Sequence, residues 1–171
     1  MKNTTPLILA KPFFGLLFFA TIFVSTSCNR NMVYDRSLEI SETGWHEDSA
    51  KTFDDVIIHD SLSPFDFYIN LRHSTNYRYS NFYFFLNTTL PNGHMSRDTI
   101  ELILADNTGK WYGNGSGHIR DNRILIREKL KFPLTGNYQF TINQAMREDD
   151  GILEGIINVG IRIEKSGEGM E

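Results

Sequence analysis

The chain reads as an all-β protein: a single β-sandwich of about seven or eight antiparallel strands, jelly-roll or immunoglobulin-like, following a signal peptide and a tether. Three observations carry that reading. Apolar residues from Phe65 onward recur with period two, the spacing that puts every second side chain on one face of a strand. Gly- and Pro-bearing segments divide these runs at short intervals, as turns do. Beyond a short candidate at Asn143 to Asp149, the sequence carries no helical periodicity.

The elements follow in chain order. Met1 to Ser27 holds Lys2 and Lys11 but no acidic residue, and an apolar run from Pro12 to Val24 leads to Ser25-Thr26-Ser27-Cys28. This is the charged, apolar and small-residue order of a secretory signal, and about 13 apolar residues fall short of the roughly 20 that span a bilayer as a helix. Cys28 then stands where the bacterial lipobox places its acylated cysteine, although Ser25 occupies a position that usually carries Leu, Val or Ile. Two or more acyl chains, at about 0.8 kcal/mol per buried methylene, hold a protein on a membrane stably. Cys28 is therefore the expected lipidation site, and the membrane is an expected partner through that anchor.

Residues 28–43 read as the lipidated cysteine and a tether, with Met32, Val33, Tyr34, Leu38 and Ile40 scattered among polar residues. Such a coil would average about 20 Å end to end. The sandwich domain is expected over residues 44–171. Its first strand is Thr52 to His59. From Phe65 to Arg72, Phe65, Phe67, Ile69 and Leu71 alternate with Asp66, Tyr68, Asn70 and Arg72. Phe82, Phe84 and Leu86 repeat the device, Pro91-Asn92-Gly93 supplies a turn, and Asp98 to Leu104 is the returning strand of a hairpin. Ile119 to Phe132, Tyr138 to Asn143 and Asn158 to Lys165 complete the set. Tyr138, directly after the Gly136 turn, suits the corner-pinning tyrosine of sandwich folds.

Composition excludes several functions. Removing 27 of the 171 residues leaves 144, and the loss of two lysines takes the formal charge from −4 to −6. An acidic chain is ill suited to a phosphate backbone, so no nucleic acid is expected as a partner. One cysteine rules out an internal disulfide framework and cysteine-rich metal sites. His46, His59, His73, His94 and His118 share no metal-ligand spacing and read as surface or interface residues, so no metal and no cofactor is expected. The Gly109 to Gly117 stretch lacks both the lysine placement of a Walker loop and the helix of a dinucleotide fingerprint, leaving a bulged β-turn or an edge strand. No nucleophile elbow occurs, and Asp54-Asp55 and Asp149-Asp150, adjacent in sequence, point to opposite strand faces. The chain is not expected to be an enzyme.

Binding residues are sought instead among aromatics in predicted loops. Trp45, Trp111 and Tyr112, with Arg72, are the candidate partner-binding residues. The same rings define an alternative function, a glycan-binding envelope lipoprotein that stacks sugars on them. Ser49, Ser61 and Thr99 each follow an aspartate and precede an apolar residue or Ala, a tripeptide that looks like a periplasmic O-glycosylation acceptor.

Several short segments, in order, carry a family likeness: Cys28-Asn29-Arg30, Gly44-Trp45-His46, Ile69 to Arg72, Tyr79-Ser80-Asn81, Pro91-Asn92-Gly93 and Asp98-Thr99. Gly109-Lys110-Trp111, Phe132-Pro133, Gly136-Asn137-Tyr138, Ala145-Met146-Arg147 and Val159 to Lys165 continue it. On these the chain resembles the gliding motility lipoprotein GldH family, small envelope lipoproteins that accompany the Bacteroidetes gliding machinery. The resemblance implies a non-enzymatic accessory of the gliding apparatus and its linked secretion system, with other envelope proteins of that machinery as partners. Only Cys28 carries over with a defined role. The residues after it, Asn29 to Met32, lack an acidic run resembling a surface-export signal, which favours the periplasmic face of the outer membrane.

Overall fold

The computed structural model describes residues 31–167. The predicted signal segment and Cys28 lie outside them. Ten strands form: β1 (Met32–Glu39), β2 (Trp45–His46), β3 (Lys51–Ile58), β4 (Phe65–Ser74), β5 (Asn81–Thr89), β6 (Met95–Ile103), β7 (Ile119–Leu130), β8 (Gly136–Gln144), β9 (Ile152–Leu153) and β10 (Ile156–Lys165). Two four-stranded sheets run in the orders β1-β10-β4-β7 and β3-β8-β5-β6, every pairing antiparallel, and β2 pairs with β9. Leaving aside the two-residue strands, this is the order of an eight-stranded jelly roll.

The alternation that predicts the strands also builds the core. Phe65, Phe67, Ile69 and Leu71 of β4 are buried, as are Phe82, Phe84 and Leu86 of β5 and Val159, Ile161 and Ile163 of β10. Aromatic rings tile the interior: Phe132 meets Phe65 and Tyr138 edge-on at 5.4 and 5.0 Å, and Phe67 meets Phe140 at 5.2 Å. Pro91-Asn92-Gly93 closes the β5–β6 hairpin with Gly93 at φ 82°, a conformation that glycine adopts without steric cost. Tyr138 is buried and pins its corner twice, donating to the Leu134 carbonyl at 2.9 Å and accepting from the Leu134 amide at 3.2 Å.

Three expectations are corrected. The tether over residues 28–43 does not hold past Asn31, because Met32–Glu39 is an edge strand in continuous register with β10. The sandwich therefore starts well before residue 44. Its outer edge is tied across to the second sheet by Tyr34, whose hydroxyl donates to Asp55 at 2.7 Å, and by Arg36, which donates to Asp55 at 3.1 Å. A polar strand with one neighbour is hidden from local pattern reading, since the partner that orders it lies more than 110 residues away. The candidate helix at Asn143 to Asp149 is absent: β8 runs to Gln144, and Ala145 continues the backbone pairing by donating to Tyr83. His73 is no surface histidine. It is an inward-facing residue of β4 with no exposed surface.

The connections sort into two ends. Residues 59–64, 90–94 and 131–135 lie at the end where β1 begins, while residues 40–50, 75–80, 104–118 and 145–155 lie at the other.

Candidate functional site

The outward residues of the first sheet form one polar face, because period two sends Asp66, Tyr68, Asn70 and Arg72 of β4 away from the core. Register then sets the neighbours. Arg72 lies opposite Asp121 of β7 and Asn158 of β10, Asn70 opposite Arg123 and Gly160, and Tyr68 opposite Leu125 and Arg162. Arg72 grips Asp121 as a fork, Nε to Oδ1 at 2.6 Å and Nη2 to Oδ2 at 3.2 Å. The hydrogen bond and the charge of Asp121 push the Arg72 guanidinium further up, so Arg72 stays charged. Both side chains are about half exposed, at 48% and 50%, which limits the pair to less than about 1 kcal/mol of stability.

The network continues sideways. Arg123 donates through Nε to Asn70 at 3.3 Å, and Asn70 donates to Asp35 of β1 at 3.1 Å. Arg162, with only 7% of its side chain exposed, bridges Asp35 and Glu164. Gly160 sits between these rows because a Cβ there would meet the Ser37 hydroxyl at 2.3 Å and the Arg36 carbonyl at 2.7 Å, so only glycine lets β1 approach. The result is a shallow groove of about 680 Å³ that includes Asp35, Asn70, Arg72, Asn114, Asp121, Arg123 and Asn158. Its floor mixes fixed charges of both signs with asparagine amides that donate and accept.

Of the four candidate binding residues, only Arg72 lines this groove. Trp45 corrects the expectation of an exposed loop ring: it is 1% exposed, packs on Phe82 at 5.7 Å and donates its indole N–H to the Ser49 carbonyl at 2.7 Å. Trp111 is half-buried against His73 at 4.7 Å and Tyr77 at 6.4 Å, capping the far end. Tyr112 is exposed, at 50%. The rings form no shared open platform, so the stacking surface that the glycan-binding alternative requires is not assembled.

The Gly109 to Gly117 stretch is the bulged loop expected, with isolated bridges from Ala105 to Trp111 and from Asn114 to Asp121. Gly113 is required by a close approach, its Cβ position lying 2.5 Å from the Asp121 carbonyl. Among the candidate glycosylation residues, Ser49 and Thr99 are exposed and Ser61 is half-buried. Asp60, before Ser61, accepts from the Leu62 and Ser63 amides and from Lys165, the contacts of an Asx turn, and hydrogen bonding from Ser63 above all holds its carboxyl well below the usual range. Among the described residues, no cluster of His, Cys, Asp or Glu is arranged to hold a metal.

Sequence reasoning missed Asp35, Asp121, Arg123, Asn158 and Arg162. For Asn158 and Arg162 the signal is the polar alternation Asn158, Gly160, Arg162, Glu164 in β10, the complement of the apolar one; Asp35, Asp121 and Arg123 join them only through strand register.

The fold and this face define a jelly-roll sandwich that displays a polar, ion-paired sheet surface. A family profile described as GldH lipoprotein matches residues 32–163. A protein of Christiangramia forsetii named "Gliding motility lipoprotein GldH homolog" is 39% identical over 155 residues, 88% of this chain and 94% of that protein. "Gliding motility lipoprotein GldH" of Flavobacterium johnsoniae is 35% identical over 156 residues, 88% of this chain and 95% of that protein. The chain belongs to the GldH lipoprotein family. No solved structure matches it.

Proposed function

We propose that this protein is a lipid-anchored, non-enzymatic accessory of the gliding motility machinery and its linked secretion apparatus, acting by binding other envelope proteins. The observation that carries the reading is the extent of the likeness: relatives named for gliding motility match over 94% and 95% of their own length. Cys28 bears the acyl chains, and the domain sits on the periplasmic face of the outer membrane. The polar groove around Arg72 is the docking face, since cross-strand ion pairs hold its donors and acceptors in place before a partner arrives.

Crosslinked pull-down from native membranes tests this. The unaltered protein should recover motility or secretion components, and Arg123→Glu, at an exposed groove position, should recover far less while folding normally. Cys28→Ala should move the protein out of the membrane fraction. Recovery of no such component sinks the accessory reading, and full recovery by Arg123→Glu moves the docking face elsewhere.

A further inference from the structure

The exposed apolar surface of the sandwich is unevenly placed. Leu62 is 87% exposed and Met95 is 66% exposed, the two highest values among the exposed large hydrophobic residues of the described chain. Both lie at the end where β1 begins, Leu62 in the β3–β4 connection and Met95 at the start of β6. Leu62 follows β3, one edge strand of the second sheet, and Met95 begins β6, the other, and three strand spacings, about 14 Å, separate those two strands. Met32, 46% exposed, begins β1 at the same end.

The Leu62 loop is rigid by construction. Asp60 accepts from the Leu62 amide at 2.9 Å and the Ser63 amide at 3.1 Å, and Lys165 at the end of β10 donates to the same carboxylate at 3.1 Å. The loop thus holds a leucine outward, where folding alone gives it nothing to pack on. An apolar cleft of about 180 Å³, walled in part by Leu90, Ile126, Leu130 and Phe132, opens at this end on the other face of β6, where Ser96 and Asp98 line it. The opposite neighbour of the Met95 loop is also firm, since Pro91 packs on Gly136, with 3.0 Å from the proline Cβ to where a glycine Cβ would stand.

Covalent length supplies the occupant. With β1 starting at Met32, only four chain steps separate it from Cys28. Four residues in any conformation span at most about 14 Å. An acylated Cys28 therefore leaves no room for a spacer, and this end of the sandwich is held at the headgroup layer.

We propose that the end of the sandwich carrying Leu62 and Met95 rests on the bilayer surface, with these two side chains entering the lipid interface. This rests on the lipid-anchored reading above. The anchor at the start of β1, the Leu62 loop and Met95 form three non-collinear points, so contact sets the tilt of the domain and turns the opposite end, with Tyr112 and the Gly109 to Gly117 loop, away from the membrane. An apolar contact of this kind buries side chains to a depth of about 5–10 Å at the headgroup boundary.

The test uses the full-length acylated protein in vesicles of phosphatidylcholine and phosphatidylethanolamine. Acylation consumes the native thiol, so Leu62→Cys, Met95→Cys and Asn107→Cys each accept a single environment-sensitive fluorophore. The first two labels should lose most of their emission to nitroxide-bearing lipids and the third, at the far end, should keep it. A second variant, Leu62→Asp with Met95→Asp and the label on His94→Cys, should float with the vesicles and lose the quenching, with unchanged thermal stability because both positions are exposed. Protein that floats while the labels at 62 and 95 behave like that at 107 overturns the contact and leaves the anchor standing. Protein that fails to float overturns the anchor and the contact together.

Discussion

At the scale of single residues, His73 departs most from its bland expectation. Its ring has no exposed surface, Nδ1 lies 2.9 Å from the Ser74 carbonyl, and Nε2 has no partner while packing beside Trp111 and Tyr77. Burial therefore holds it neutral, pushing its pKa below the ordinary 6.5. The unfolded chain takes up a proton below 6.5 that the native state resists, so this residue's contribution is complete above that pH and is lost as pH falls below it toward the native value. His73→Phe keeps an aromatic ring and removes the titration. Thermal melts at pH 7.5 and 5.5 should show a smaller drop for the variant than for the parent. An equal drop in both would mean that the acid sensitivity arises elsewhere. Because β4 runs on to Ser74, two residues beyond the alternation read in the sequence, residue 73 shares the inward face of Leu71, whereas residue type argued for the surface. Position outweighed type here because Trp111 and Tyr77, from separate connections, close over the ring.

At the scale of elements, β1 shows what local pattern misses. β4, β5, β8 and β10 announce themselves through buried alternation because each has strands on both sides and a core beneath. β1 has one neighbour, and much of its side-chain surface stays wet. What holds it is chemistry from afar: backbone pairing with β10, the Arg162 bridge to Asp35 and Glu164, and the tie of Tyr34 and Arg36 to Asp55. Arg162→Met leaves two carboxylates facing each other without their cation. It should cost about 2–3 kcal/mol, below the limit for a fully buried pair because Asp35 and Glu164 reach solvent. Urea denaturation reads the loss, and hydrogen exchange should place the first loosening in residues 32–39. Unchanged protection there would show that backbone pairing alone secures β1. Gly160 belongs to the same device, since its missing Cβ admits the backbone and side chain of β1.

For the whole molecule, incorporating β1 changes how the domain would stand on a membrane under the proposed Cys28 anchor. A fifteen-residue tether would let the sandwich roam, whereas a four-step stem would hold one end against the lipid. Inserting twelve Gly and Ser residues after Asn29 lengthens the stem without touching any described contact. Its melting temperature should match the parent's in detergent, while the lipid quenching of a label at residue 62 should vanish; persistence of that quenching would mean the end seeks lipid on its own. The fold class, the strands from β3 onward except the two-residue β9, the β5–β6 hairpin, the Tyr138 corner and the bulged glycine loop were legible in the chain, because each is written in nearest-neighbour alternation or in the backbone needs of Gly, Pro and Tyr. The family was legible in ordered short segments. Burial of Trp45, the half-buried cap of Trp111, the start of the domain at Met32 and the polar groove around Arg72 came from strand order and register, which bring together residues far apart along the chain. A single sequence records what each residue prefers locally, and free energy gained between distant segments decides which of those preferences prevails.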